Sequence, residues 1–260
     1  MARKYILGKL YPSQKLKEFF SFLTAFNSCD GRIKSALYLT TKNFFVRLYK
    51  ALFFLEVNMD IYEIFSFDNL YDAYKKCRLS KNHKGEVIRF EIDLSTNIYK
   101  LMKKLHSKKY EFGNYRKFYI YEPKERCIEA LPFKDRVVIR CFCDNVLSRI
   151  LDKKLIYDNA ACRKDKGTLF AINRLHKFMR NEYDREKNNR FYYLKCDIKK
   201  YFQSIDHNVL LEMLNKVSFS EDEMWFINKT INNKNNSLQK GLPLGNQTSQ
   251  WYALFYLNKI

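Results

Sequence analysis

Three runs of this 260-residue sequence carry residue types that could do chemistry. The first, Leu194-Lys-Cys-Asp-Ile-Lys-Lys-Tyr-Phe-Gln-Ser-Ile-Asp-His207, leads apolar and aromatic residues into a lone carboxylate, Asp197. With Phe191, Tyr192 and Tyr193 before it, the run reads as a buried strand ending at Asp197, and a carboxylate at a strand terminus is well placed for chemistry. The second, Gly241-Leu-Pro-Leu-Gly-Asn-Gln-Thr-Ser-Gln250, holds two glycines that let a backbone approach a ligand where a Cβ would be in the way. The third joins Pro123-Lys-Glu-Arg126 to Leu131-Pro-Phe-Lys-Asp-Arg136; Lys is a mobile point charge and Arg a planar fork, and both suit phosphate oxygens. Each run also has an ordinary reading. A lone Asp after a strand is usually a turn residue, the Phe of a Tyr-Phe pair is usually core, Leu244 can simply pack its loop, and Lys and Arg in a turn are usually solvated.

The elements that must hold these runs follow from periodicity. Asp68 to Cys77 predicts a short helix, and Phe90, Leu94, Ile98, Leu101 and Leu105 recur at spacings that make one apolar helical face. Phe118 to Tyr121 and Cys127 to Leu131 predict two strands of a hairpin around the basic turn at Pro123. Val137, Cys141 and Val146 fit a following helix, and Leu169, Ile172, Leu175 and Met179 fit another after the loop at Gly167. Asp206 is placed to cap a helix carrying Val209, Leu210 and Leu214, and Ser220 with Glu223 has capping-box spacing. Ser249 to Ile260 reads as a last amphipathic segment. Asp206 and His207 are taken as structural because they open a helix.

Composition narrows the partner. Lys and Arg number 48 against 28 Asp and Glu, a formal charge of +20 spread along the whole chain, which favours a polyanion over the plainer alternative of a solvated basic surface. Charge alone does not separate nucleic acid from an anionic membrane. The 19 Tyr and 22 Phe argue against disorder, since such a chain can bury much apolar area. The 7 Cys, an odd number with no paired CxxC spacing, read as reduced thiols rather than a zinc site or disulfide scaffold. No signal peptide is visible, and the most apolar early segment, Phe44 to Val57, is broken by Arg47 and Lys50 and too short to span a bilayer. A cytoplasmic protein without a membrane partner is expected.

Taken together the three runs resemble bacterial reverse transcriptases, the group that includes group II intron, retron and diversity-generating retroelement enzymes, over roughly Tyr115 to the end of the chain. The resemblance implies an α+β fold: fingers and partial palm of a right-hand polymerase, rich in helix with a small antiparallel sheet. It implies template-directed nucleotidyl transfer with two Mg²⁺ ions roughly 3.5–4 Å apart. In this family Asp197 would ligate the metals with the carbonyl of Ile198. Phe202 would close against the sugar 2′ position, making it the gate for deoxynucleotides. Lys124 and Arg126 would fold over the triphosphate, with Arg116 or Lys117 as alternatives. Leu244 and Gly245 would lie under the nascent base pair, and Gly241, Pro243, Asn246, Ser249 and Gln250 against template and primer. Arg136 would contact template phosphate, and the loop of Asn159, Cys162, Arg163 and Gly167 would lie near template or primer.

Within the family, Leu244 in place of a glutamine and Ser249-Gln250 in place of Ser-Pro resemble the diversity-generating enzymes, whose errors concentrate opposite template adenines. An aliphatic residue cannot hold the incoming nucleotide through the hydrogen bonds of a glutamine amide. The implied partners are an RNA template, a DNA or RNA primer, dNTPs and a basic accessory protein. The domains expected are an N-terminal extension over 1–58 with Met59 as an alternative start, N-terminal helices and fingers over 59–190, and a partial palm over 191–260. No aromatic-x-Asp-Asp string, the family's second acidic motif, occurs in the sequence, so the chain reads as broken off before it and inactive alone. Two other readings stand beside this one: a retron or group II intron type enzyme, and a non-catalytic RNA-binding remnant of the fold.

Overall fold

The computed structural model describes residues 59–122, 124–187, 192–233 and 239–259. The unit to which they belong runs from Asn58 to Ile260. The readings made for Met1 to Asn58, for Pro123 and for Phe191 lie outside the described residues. The architecture is α+β, helices around one small antiparallel sheet. A four-residue helix, α1 (Ile61–Ile64), is capped by Asp60, and α2 (Phe67–Arg78) by the Ser66 hydroxyl, which accepts from the Asn69 N–H. The single apolar face predicted from Phe90 to Leu105 is divided between α3 (Gly85–Glu91) and α4 (Leu94–His106). The chain turns at Asp93, and the Asn97 side chain donates to the Phe90 carbonyl across the break at 3.0 Å.

The hairpin forms where expected, β1 (Arg116–Ile120) against β2 (Arg126–Ala130), in the register Arg116↔Ala130 to Ile120↔Arg126. Side chains alternate across a strand. Arg116, Arg126 and Ala130 therefore share one hairpin face, and Lys117, Cys127 and Glu129 the other. The chain then enters α5 (Phe133–Phe142), continues through a π turn (Cys143–Leu147), and ends in α6 (Ser148–Leu151). The π turn explains an irregular spacing: Val146 follows Cys141 by five positions, which an i→i+5 turn brings back to the buried side.

The helix α5 lies along α2, and Phe142 packs with Phe65 and Phe226, the last two centroids being 4.5 Å apart for Phe142–Phe226 and 5.0 Å for Phe65–Phe226. Phe226 sits on α10 (Glu221–Ile231), which opens with the Ser220–Glu223 capping box predicted for it. Before it come α7 (Thr168–Glu186), α8 (Tyr201–Ser204) and α9 (His207–Asn215), the last capped by Asp206. The closing helix, α11 (Gln247–Tyr256), buries Thr248, Ser249, Trp251, Tyr252, Ala253 and Phe255, so it is enclosed on more sides than an amphipathic surface helix.

Two expectations are corrected. Residues 192–198 form no strand, and Tyr192, Tyr193 and Leu194 are 99, 86 and 89% exposed. A strand exists only by its ladder, and among the described residues no other segment pairs with this one. The helix α7 is where periodicity put it, yet Leu169, Ile172, Leu175 and Met179 face outward: the period reports a helix, not what covers it.

Asp135, wholly buried in the first turn of α5, accepts from the Tyr110 hydroxyl and, at 2.8 Å, from the Gly113 N–H. Burial holds its carboxyl above the usual carboxylate range, while those two bonds pull the other way. Asp135→Ala orphans both donors and is expected to cost about 3 kcal/mol by denaturant unfolding. A raised native pKa gives stability that is full below the unfolded value and lost as pH rises through the native one. Wild type minus Asp135→Asn should therefore lose stability on going up from pH ~4, and a flat difference would contradict the assignment.

Candidate functional site

The glycine loop is held first from below. Asp206 turns the chain into α9, its carboxylate accepting from the N–H groups of Asn208 and Val209, and makes an antiparallel bridge with Lys240. Around that bridge the Gly241 N–H donates to the Ile205 carbonyl and the Leu242 N–H to the Phe202 carbonyl, both at 2.8 Å. His207 is buried, and its Nε2 lies 2.8 Å from the Gly241 carbonyl, so Nε2 carries the proton. Gly241 has φ +89°, and a Cβ there would stand 3.3 Å from the Gln203 carbonyl oxygen. The positive φ and the close approach together restrict this position to glycine.

The same loop is held from the other side by the hairpin. The Glu129 N–H donates to the Leu244 carbonyl at 2.8 Å. Gly245, at φ +134°, comes so near β2 that a Cβ would meet the Glu129 carbonyl oxygen at 2.7 Å. The Asn246 amide donates to the Tyr115 hydroxyl at 2.8 Å, and Asn233 donates to the same oxygen at 3.2 Å. Burial pushes the Tyr115 phenol up, the two amide bonds acting against it. Between these contacts lies a cavity of about 280 Å³ lined by Cys127, Glu129, Gln203, Lys240, Gly241, Leu242 and Leu244. Two of the three runs singled out in the sequence, the residues after Asp197 and the glycine loop, thus meet at one junction with strand β2; the basic run of Lys124, Arg126 and Leu131 to Arg136 contributes no residue to it.

The individual residues fare differently. Leu244 and Gly241 line the cavity, and Gly245 makes the close approach to β2 next to it. Phe202 is half-buried beside Tyr201, whose hydroxyl donates to the Ala253 carbonyl at 2.6 Å; its backbone, not its ring, meets the loop. Lys124 is exposed in the hairpin turn, and Arg126 opens β2 opposite Ile120 on the face away from Cys127 and Glu129. Asp197 and Ile198 are exposed in the irregular stretch. Among the described residues no group of three or more His, Cys, Asp or Glu is arranged to hold a metal. A lone exposed carboxylate does not fit a pair of Mg²⁺ ions, which need several shared oxygens, so no metal-dependent step is derived from this arrangement.

Several residues expected at template or primer are committed to packing. Pro243, Asn246 and Ser249 are buried: Ser249 lies in α11, which packs against α5 and its π turn, and Asn246 turns its amide onto Tyr115, while Gln250 is exposed. Arg163 is drawn into its own loop, its guanidinium donating to Asp152 at 2.6 Å and to the Ile156 carbonyl at 2.8 Å. Arg136 pairs with Glu86 and lies over the Phe133 ring. His207, Tyr115 and Glu129, which join loop, helix and hairpin, were not singled out as site residues. Nothing in their spacing points to one another, since their partners lie 34, 131 and 115 positions away. The chain matches no family model and no curated protein sequence.

Gly245→Ala is expected to destabilise the protein by about 2 kcal/mol and to accelerate hydrogen exchange at the Glu129 amide, because the loop must lift off β2. Exchange at Glu129 left at the wild-type rate would show that the close approach does not hold the loop.

Proposed function

We propose that the chain is part of an RNA-directed DNA polymerase, a reverse transcriptase of the diversity-generating kind, with the glycine-loop cavity beneath the incoming nucleotide. The observation that carries this reading is that the glycine loop and the run after Asp197 meet at one junction closed by strand β2: Glu129 on Leu244 and Gly245, and Gln203 on Gly241. An exposed Lys124 in the hairpin turn, a cavity lined by glycine backbone and a formal charge of +20 suit a nucleotide between a template and a phosphate-binding lid, whereas Arg126 lies on the hairpin face away from that cavity. In this reading Phe202 would be the sugar gate, and Asp197 with the Ile198 carbonyl would hold metal only together with further carboxylates, which the described residues do not supply.

The second reading, a non-catalytic RNA-binding module, is favoured by one feature: Asp197 lies exposed and without neighbouring carboxylates able to complete a metal site among the described residues. Primer extension separates the two. The 260-residue chain is expected to bind an RNA template with a DNA primer and not to extend it with Mg²⁺ and dNTPs. A longer product that carries an Asp-Asp segment is expected to extend it, and Asp197→Asn in that product to abolish extension. Extension indifferent to Asp197→Asn, or binding without extension from both proteins, would sink the polymerase reading. In the extending protein, Leu244→Gln is expected to lower misincorporation opposite template adenine several-fold, read by sequencing the products.

A further inference from the structure

A larger cavity, about 470 Å³, lies on the opposite side of the hairpin from the glycine loop. The register assigns it there: it is lined by Arg116 and Ala130, whereas the glycine-loop cavity is lined by Cys127 and Glu129 of the alternate face. Its walls are α3, α4, the base of the hairpin and the start of α5, and its aromatic floor is Phe90 and Phe133, packed edge to face at 5.4 Å. Arg89, Arg116, Lys134 and Arg136 line it against a single carboxylate, Glu86, which is spent on Arg136. Among the described residues no carboxylate lies within ion-pair distance of Arg89, Arg116 or Lys134, and all three are exposed. Cations gathered in a concave site with low-dielectric walls reinforce one another's field, and two guanidinium forks suit phosphate oxygens.

We propose that this cleft binds the phosphodiester backbone of a single nucleic-acid strand, with Arg89, Arg116 and Lys134 as the phosphate contacts and Arg136 as a fixed wall oriented by Glu86. A strand is favoured over a free nucleotide because the three cations stand at an exposed rim and not around an enclosed pocket, which would have to cover most of a small ligand. A duplex is too stiff to follow a recess of this size. Asn114, exposed beside Arg116, can serve a 2′-hydroxyl or base edge without fixing a sequence. The resemblance places Arg136 at template phosphate and Arg116 among the candidates for the triphosphate; the inference instead joins Arg89, Arg116 and Lys134 as contacts to a strand, and it does not rest on polymerase activity, since the cleft shares no lining residue with the glycine-loop cavity.

The test is fluorescence anisotropy of a labelled oligouridylate against the whole chain over a salt series. Arg89→Ala with Lys134→Ala is expected to weaken binding about tenfold and to lower the slope of log affinity against log salt by about 1.4, at ~0.7 per lost phosphate contact on a single strand. Arg116→Gln should lower it by about half as much. The matched control, Lys103→Ala with Lys104→Ala in the last turn of α4, removes the same charge outside the cleft and is expected to change binding less than twofold. Equal losses in cleft and control variants would overturn the proposal, as would an unchanged slope in the cleft double variant. Displacement of the strand by uridine monophosphate at the strand's own affinity would overturn the choice of a strand. Because no catalysis is read, a failure of the polymerase reading leaves this result unchanged, and the exposed substitutions are expected to leave the melting curve at its wild-type position.

Discussion

The contact that organises this molecule is the double clamp on the glycine loop. On one side Gly241 closes against Gln203 and His207; on the other Gly245 closes against Glu129. Both glycines sit at positive φ, where a side chain would add strain, and both leave backbone polar groups close enough to bond. The gain is a set of backbone bonds across the loop: Leu242 on Phe202, Glu129 on Leu244, Gly241 on Ile205. Burial of Leu242 and Pro243 between them adds apolar contact. Because the clamp joins the hairpin to α8 and α9, a shift of any one of the three moves the walls of the cavity between them.

That clamp is anchored in an aromatic core. Phe65, Phe142 and Phe226 come from α1's end, α5 and α10, and their mutual packing fixes helices that are far apart in sequence. Tyr74, Phe90 and Phe133 form a second set at the base of the hairpin. The same Phe90 and Phe133 floor the basic cleft, so the surface that gathers cations rests on rigid packing. The buried Asp135 adds a polar pin to Tyr110 and Gly113, setting where the chain leaves α4 for β1. A hairpin supported this way can carry an exposed basic tip without being held by it.

The stretch from Tyr192 to Ile198 and the outward face of α7 stand apart from this economy. Both present apolar side chains to solvent, and both are elements whose apolar sides usually find a neighbour. Strand formation needs hydrogen bonds from another chain segment, so the residues before Asp197 cannot become a strand on their own account. The cavity at Leu244, by contrast, is lined by described residues of the hairpin, α8 and the glycine loop.

What the sequence by itself determined was local: the helices with their Ser and Asp caps, the hairpin within two residues of its ends, the two glycines where the backbone comes close, and the basic surplus. Those follow from short-range chemistry, such as the Ser220–Glu223 box, the period of Leu101 and Leu105, and the turn between alternating strands. Only the tertiary structure decided which side chains are free to act. It turned Ser249 and Asn246 inward, tied Arg163 to Asp152 and Arg136 to Glu86, and left the Tyr192 run unpaired. It also joined Tyr115 to Asn246 and His207 to Gly241, and gathered Arg89, Arg116 and Lys134 into one cleft. The physical reason is that caps and periods are settled by residues three or four apart, whereas burial, ion pairing and strand pairing are settled by partners that no local spacing specifies.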